Sequence, residues 1–324
     1  IDPELLVKAF FVIGVLGAEI TDPKAVAPAK QGLAIAEATG DEALAGRAHL
    51  AVGAAIVHSG GGAEGHQHML EGQALLDASP EPRWWQPEWE EAHLRFLLSA
   101  YLPADLPRKR EHADFAIATY ERLGDKAMLA ASLIETFTIA RGSYSYAPQA
   151  EANIRRALAI CDEIHLPYWE GHAHKHLGWT LMQLEKWGDA ADEFHLSLDS
   201  LESAGDVSCW LNARGYLVRC EAMLGNLERA AARQVKLLHD LHRVGHESYL
   251  SAHALATSAQ VLDLLGDREA ALAVTSWLTA SDDEDLHLWG GFASDWLGEP
   301  ELPEALDASL DELVRLAAGR LTAA

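Results

Sequence analysis

Asp189-Ala190-Ala191-Asp192-Glu193-Phe194, running on through Leu198, Ser200 and Leu201 to Gly205-Asp206, is a unit that this chain repeats. Arg229-Ala230 through Leu238 and Leu241 to Gly245-His246 is a second copy, and Asp22-Pro23-Lys24-Ala25 through Leu33 and Ala36 to Gly40-Asp41 a third. Laying Gly205-Asp206 over Gly40-Asp41, Gly124-Asp125 and Gly245-His246 superposes Ala190 on Ala25 and Ala230, and Leu198 on Leu33, Ile117 and Leu238. Each offset is about a multiple of 40 residues, the length of a paired-helix repeat. Where the Gly-Asp ending is missing, proline supplies the boundary, at Ser79-Pro80-Glu81-Pro82 and at His165-Leu166-Pro167, because its ring clashes with the preceding helical turn. Seven units, ending near residues 41, 80, 125, 165, 206, 246 and 281, predict one continuous helical array.

With 324 residues, 49% of them hydrophobic, the chain has room for two ordinary domains, but a repeat array grows by adding units and need not divide. The expected organisation is a solenoid over residues 1–281, then an acidic connector and a C-terminal capping helix over 282–324. Cys161, Cys209 and Cys220 are odd in number and at no metal-ligand spacing, which fits a reducing, cytoplasmic compartment. The apolar run Ala9 to Ala18 is too short to span a bilayer. Its neighbours Asp2, Glu4 and Glu19 are unlike the basic start of a signal peptide, so it is expected as a buried first helix. The chain opens at Ile1 rather than methionine, which reads as a fragment or processed form. Lys+Arg of 25 against Asp+Glu of 49 gives a net charge of −24, which repels a phosphate backbone and removes counterion release as a driving force. The partners expected therefore exclude direct nucleic acid and the membrane. Arg108-Lys109-Arg110 reads as a solvated helix start.

The unit from Gly171 to Gly205 is the best formed. Its first helix carries Leu177, Gly178 and Leu181, its second Ala190, Phe194 and Leu198, with Glu185-Lys186-Trp187-Gly188-Asp189 between them. Small residues at Gly178 and Ala190 let the two helices approach, and Leu181 and Phe194 fill the space beside them. This pattern resembles the tetratricopeptide repeat. Leu177, Gly178, Leu181, Ala190 and Phe194 match that family, while Gly205, suited to a left-handed C-cap, replaces its closing proline. Gly225-Asn226-Leu227-Glu228-Arg229-Ala230 and Gly266-Asp267-Arg268-Glu269-Ala270-Ala271 resemble the family's inter-helix turns, with Gln234 and Thr275 in place of the aromatic.

Units longer than the family's usual 34 residues resemble the sensor arms of bacterial signal-transduction ATPases and LuxR-type regulators. The resemblance implies an all-α fold, a right-handed superhelical α-solenoid of about seven helix-turn-helix repeats with a C-terminal capping helix. It implies a non-catalytic binding or regulatory module within a larger bacterial signalling or transcription regulator. No G-x-x-x-x-G-K-[ST] phosphate loop occurs in the chain. Glu304 to Ala317 is expected as one amphipathic cap helix through Leu306, Leu310, Leu313 and Leu316, without the pattern of a DNA-reading helix-turn-helix.

In the family's geometry the first helix of each pair lines the concave wall, and its second, fifth, ninth and twelfth residues point inward. Carried over by position, this implies a groove of Tyr101, Glu135, His172, Lys175, Trp179, Asn212, Arg219, His253 and Gln260. Lys175 and Arg219 would clamp a carboxylate or phosphate, and Trp179 and Tyr101 would stack on the ligand. The groove's occupant is expected to be a peptide, a protein partner or a small effector, with no cofactor, and pairing of the array with itself is left open. The rival reading is a metal-dependent or other enzyme using the histidines. His172 and His176 share a helix face, with His174 between them, and His239, His242 and His246 fall at helical spacing. Neither group has a complete ligand set, and the chain has no G-x-S-x-G nucleophile elbow. Hydrogen-bonded or exposed histidines are the simpler reading, so no metal ligand and no catalytic residue is assigned. The glycine-rich His58 to His68 reads as an extended turn, Trp84-Trp85-Gln86-Pro87-Glu88-Trp89 as packing between units, and Asp282-Asp283-Glu284-Asp285 as a solvated connector.

Overall fold

The computed structural model describes residues 2–19, 23–58, 62–78, 87–101, 106–244, 248–298 and 302–323, and every regular element among them is helical. The helices gather into two compact units, Ile1–Trp169 and Glu170–Ala324. The first holds α1 (Pro3–Glu19), α2 (Val26–Thr39), α3 (Glu42–His58), α4 (Gly62–Ala78), α5 (Pro87–Tyr101), α6 (Leu106–Leu123), α7 (Lys126–Glu135), α8 (Phe137–Gly142) and α9 (Ala147–Ile164). The second holds α10 (Pro167–Gln183), which starts just ahead of the division, then α11 (Trp187–Ala204), α12 (Val207–Met223), α13 (Leu227–Val244), α14 (Ser248–Leu264), α15 (Arg268–Thr279), α16 (Glu284–Leu297) and α17 (Leu310–Ala323). The apolar run Ala9 to Ala18 lies in α1. Asp22, Ser79-Pro80-Glu81-Pro82, Trp84-Trp85-Gln86 and Gly245-His246 lie outside the described residues.

The Gly-Asp pairs that set the repeat register are physical stop and start signals. Gly40, Gly124 and Gly205 sit just past α2, α6 and α11 with φ of 71°, 71° and 74°, the left-handed region that a residue with a Cβ avoids. The aspartate after each caps the next helix. Asp41 accepts the Leu44 N–H at 3.0 Å, Asp125 the Met128 N–H at 3.1 Å and Asp206 the Cys209 N–H at 2.9 Å. Gly266-Asp267 does the same between α14 and α15. At the proline boundary, His165 takes the left-handed position and α10 begins at Pro167.

Within a pair the small-against-large packing is present. A Cβ added at Gly178 would stand 2.9 Å from the Phe194 ring, which is fully buried. In the first unit α3 and α4 approach through a device outside the repeat pattern. Gly53 faces Gly65 and Gly46 faces Gly72, two turns apart on each helix. A Cβ at residue 72 would meet the Gly46 carbonyl oxygen at 2.7 Å, and one at residue 53 the Gly65 carbonyl oxygen at 2.9 Å. This corrects the extended turn expected over His58 to His68: residues 59–61 lie outside the described residues, and from Gly62 onward the segment is helix, with Gly65 used for interhelical contact.

Three further expectations change. The cap helix runs Leu310–Ala323 rather than Glu304 to Ala317, because Ser309 and Glu312 form a capping box: the Glu312 carboxylate accepts the Ser309 N–H at 2.8 Å and its hydroxyl at 2.7 Å. Residues 302–309 are not helical, and Leu306 is exposed. The acidic run at 282–285 opens a helix, α16, whose Leu286 N–H is accepted by Asp283 at 3.1 Å. In Arg108-Lys109-Arg110 the two arginines are solvated, but Lys109 is buried on α6 and donates to the Ala100 carbonyl at 3.2 Å.

Candidate functional site

In the second unit the two helices of a pair differ in what they bury, unlike the first, where α6 buries Lys109 and His112. In the second unit the buried positions of α11, α13 and α15 are apolar apart from the uncharged Ser197, Gln234, Thr275 and Ser276. The first helices α10, α12 and α14 are covered on most sides and enclose ionisable groups: His172, Lys175 and His176 on α10, Glu221 on α12 and His253 on α14. Such groups are stable out of water only when paired. Glu221 meets Arg229 and Arg233 of α13, each at 3.1 Å. His253 packs between the Tyr216 and Trp289 rings at 4.4 and 4.6 Å, in space that Gly215 leaves free, since a Cβ there would stand 2.7 Å from the imidazole.

The densest set joins α10 to the head of α12. Asp206 caps α12 with one carboxylate oxygen, and its other oxygen accepts His172 Nε2–H at 3.1 Å. One turn along α10, Lys175 Nζ donates to Cys209 Sγ at 3.0 Å. Burial alone would keep these groups neutral. For His172 it is outweighed by the charge of Cys209 and by hydrogen bonds to Asp206 and Cys209, and its pKa rises to about 9. Asp206 is likewise pulled, against its burial, to about 2 by the bond from His172. The Cys209 thiol is drawn below its ordinary value when Lys175 and His172 outweigh the cost of burial. One donor atom each from His172, Asp206 and Cys209 lies within 4.8 Å of the others. The Lys175 ammonium on the sulfur would repel a dication there, so the set is a hydrogen-bonded ion network.

The nine residues expected along a groove all fall on first helices, but in two units. Tyr101 and Glu135 end α5 and α7 in the first unit, both half-buried, with Glu135 acting on the buried Lys109. In the second unit His172, Lys175 and Trp179 lie on α10, Asn212 and Arg219 on α12, and His253 and Gln260 on α14. Of these, His172 and Lys175 meet through Asp206 and Cys209. Trp179, Asn212 and Arg219 are half-buried, Gln260 is buried, and Asn212 Nδ2 has no hydrogen-bond partner among the described residues. Asp206 and Cys209 were missed as site residues, although Gly205-Asp206 already marks a helix start and so puts Cys209 in its first turn.

His172 and His176 are neighbours on one face of α10, as their spacing suggests, whereas His174 points elsewhere. His174 turns to α11 and contacts Glu193 at 2.6 Å, while His172 turns to α12, and the His172 and His176 ring centres are 6.1 Å apart. His242 pairs with Asp311 at 3.2 Å on the surface, and His246 lies outside the described residues. Trp89 stacks on His93 and donates to Asp125 at 2.9 Å, a packing role. In the first unit the close glycine contact of α3 and α4 brings His49 Nδ1 to 2.9 Å from His68 Nδ1 and 3.3 Å from the Glu71 carboxylate. Burial first, then His68, pushes His49 below its ordinary value against the pull of Glu71 and Glu37. Those donor types and spacings suit a transition-metal ion, and spacing along the chain does not show them.

RapI, solved in its apo form, is similar in structure over 99% of this chain and 87% of its own length, with 14% identity and a TM-score of 0.53. A signal transduction ATPase with numerous domains bearing a tetratricopeptide repeat sensor, from Pyrococcus horikoshii, is similar over 96% of this chain and 44% of its own, with 14% identity and a TM-score of 0.51. The chain thus spans less than half of that second protein. No family model matches the chain, and no curated protein matches it in sequence. These likenesses show the fold, a tetratricopeptide-like α-solenoid. No helix among the described residues is long and apolar enough to cross a membrane.

Proposed function

We propose that this chain is a non-catalytic binding module in which the first helices of a tetratricopeptide-like array hold a peptide or protein partner, as the sensing part of a larger bacterial regulator. One observation carries the reading: among the described residues of the second unit, the buried ionisable side chains lie on α10, α12 and α14, while the buried side chains of α11, α13 and α15 are uncharged. Polar groups are costly to enclose, and a fold that needed only a core would place them outside. Half-buried Trp179, Asn212 and Arg219 add an aromatic face, an unmatched amide and a cation to the same helices. The repeat sensor named in the Pyrococcus horikoshii protein supports the regulatory role by analogy of fold. The three free cysteines support a reducing cytoplasmic setting, and the net charge of −24 speaks against a nucleic-acid partner.

A displayed random-peptide library panned on the immobilised protein tests the reading, with Arg219→Ala and Gln260→Ala proteins of unchanged circular dichroism for comparison. An enriched motif whose affinity falls about tenfold in either variant, the loss of one charge-assisted hydrogen bond, supports it. If no peptide is enriched, but native mass spectrometry of the freshly purified protein shows a small molecule released on denaturation, the occupant is a small effector. Finding neither a peptide nor a bound molecule would refute the groove. The same spectra report whether the chain pairs with itself.

A further inference from the structure

The three cysteines are free thiols, and two are sealed in the core. Cys161 and Cys220 are fully buried, and burial pushes the Cys220 thiol up to about 12. Cys209 differs in each property that governs thiol reactivity. It is half-buried rather than sealed. It stands third in α12, within the first turn, where the helix dipole favours an anion. Lys175 Nζ touches its sulfur at 3.0 Å, and His172 is held alongside by Asp206 at 3.1 Å. The charged groups acting on the sulfur are thus Lys175 and His172 from α10, both favouring the thiolate, and Asp206 at the head of α12, opposing it.

We propose that Cys209 is a modification site, a cysteine that hydroperoxides oxidise to a sulfenic acid, with Lys175 and His172 as the positioning residues beside its sulfur. The inference goes beyond the binding reading and does not depend on it. In the step, a sulfur lone pair attacks the nearer peroxide oxygen, and the S–O bond forms as the O–O bond breaks. Sulfur loses two electrons, the peroxide gains them, and the departing hydroxide or alkoxide takes a proton from His172 or Lys175 to leave as water or alcohol. No second thiol on α12 can resolve the product. Cys220 is about three turns away, roughly 16 Å along the axis, where a disulfide needs Cα atoms within about 7 Å. An external low-molecular-weight thiol can return it to the thiol: it first forms a mixed disulfide with loss of water and is then displaced by a second equivalent. Adding oxygen to the sulfur that Lys175 donates to alters that contact, so oxidation is felt at the junction of α10 and α12.

The test is timed iodoacetamide labelling of the reduced protein from pH 6 to pH 8, read at each cysteine by peptide mass spectrometry. The expected result is labelling at Cys209 alone, with a rate that falls less steeply towards low pH than that of an ordinary thiol, which slows about tenfold per pH unit below its pKa of about 8.5. Lys175→Met should restore the steep profile, and if that variant does not fold, the wild-type profile decides alone. A brief hydrogen peroxide pulse followed by dimedone should leave an adduct on Cys209 only, abolished by dithiothreitol added before the dimedone. A tenfold fall per unit, labelling of Cys161 or Cys220 as fast as Cys209, or no dimedone adduct overturns the proposal. Protection of Cys209 that a chelator relieves overturns it in favour of a bound metal.

Discussion

Replacing Gly72 by alanine adds one methyl group and should loosen the first unit, because the new Cβ would stand 2.7 Å from the Gly46 carbonyl oxygen, 2.9 Å from Leu50 Cδ2 and 3.1 Å from His49 Cβ. The carbonyl belongs to the α3 backbone and cannot rotate away, so α3 and α4 must separate by several tenths of an ångström. Overpacking of this kind costs about 2–3 kcal/mol when side chains cannot yield. Alanine returns about 1 kcal/mol of helix propensity. The expected net loss is about 1–2 kcal/mol, or roughly a 5- to 30-fold drop in hydrogen-exchange protection across α3 and α4. Gly319→Ala in α17 is the control: the same methyl group meets nothing within 4 Å, so only the propensity gain remains. Protection of α17 should rise up to about fivefold. The assay is amide exchange followed by mass spectrometry on native protein, which reads each helix pair separately and needs no two-state unfolding. Unchanged or increased protection of α3 and α4 in Gly72→Ala would refute the claim that backbone contact sets their spacing.

Two further substitutions test burial. Lys109→Met should stabilise the protein at pH 7, since burial, aided by Arg141 and resisted by Glu135, holds the lysine at about 8 instead of 10.5. That shift corresponds to a penalty on the order of 3 kcal/mol, from which the lost bond to the Ala100 carbonyl subtracts about 1 kcal/mol. The sign follows from the protons: between pH 8 and 10.5 the unfolded chain holds a proton that the folded one has released, so wild-type stability gains on the variant as pH rises. Urea titrations at pH 7 and pH 10 should show the gap shrinking, and a gap that is constant or reversed contradicts the burial argument. Phe194→Ala should cost about 3–5 kcal/mol, because the buried ring stacks on Tyr216 at 5.5 Å and fills the space over Gly178. A loss below about 1 kcal/mol by the same titration would mean the site collapses around the smaller side chain.

How far the structure could be read in advance depended on the range of the interaction. Gly205-Asp206 and its relatives marked helix ends correctly, because a left-handed glycine and a capping aspartate act within a few residues of themselves. Gly178 with Phe194 was legible for a related reason, since the repeat places one opposite the other. Ser309 and Glu312 are equally local, but the hydrophobic periodicity of Leu306 and Leu310 competes with them and places the start of the last helix too early.

What the amino-acid order alone could not decide is which polar groups meet. His172 reaches an aspartate 34 residues away, and His49 faces His68 only because glycines on two helices remove the Cβ atoms that would hold the backbones apart. The spacing of His172 and His176 shows their shared face, with ring centres 6.1 Å apart, but not the aspartate on the next pair that His172 meets. Register and helix boundaries arise from contacts between chain neighbours and are therefore written along the chain. The charge state of Cys209 or Lys109 arises from desolvation and from partners on other helices, and those exist only once the helices have packed.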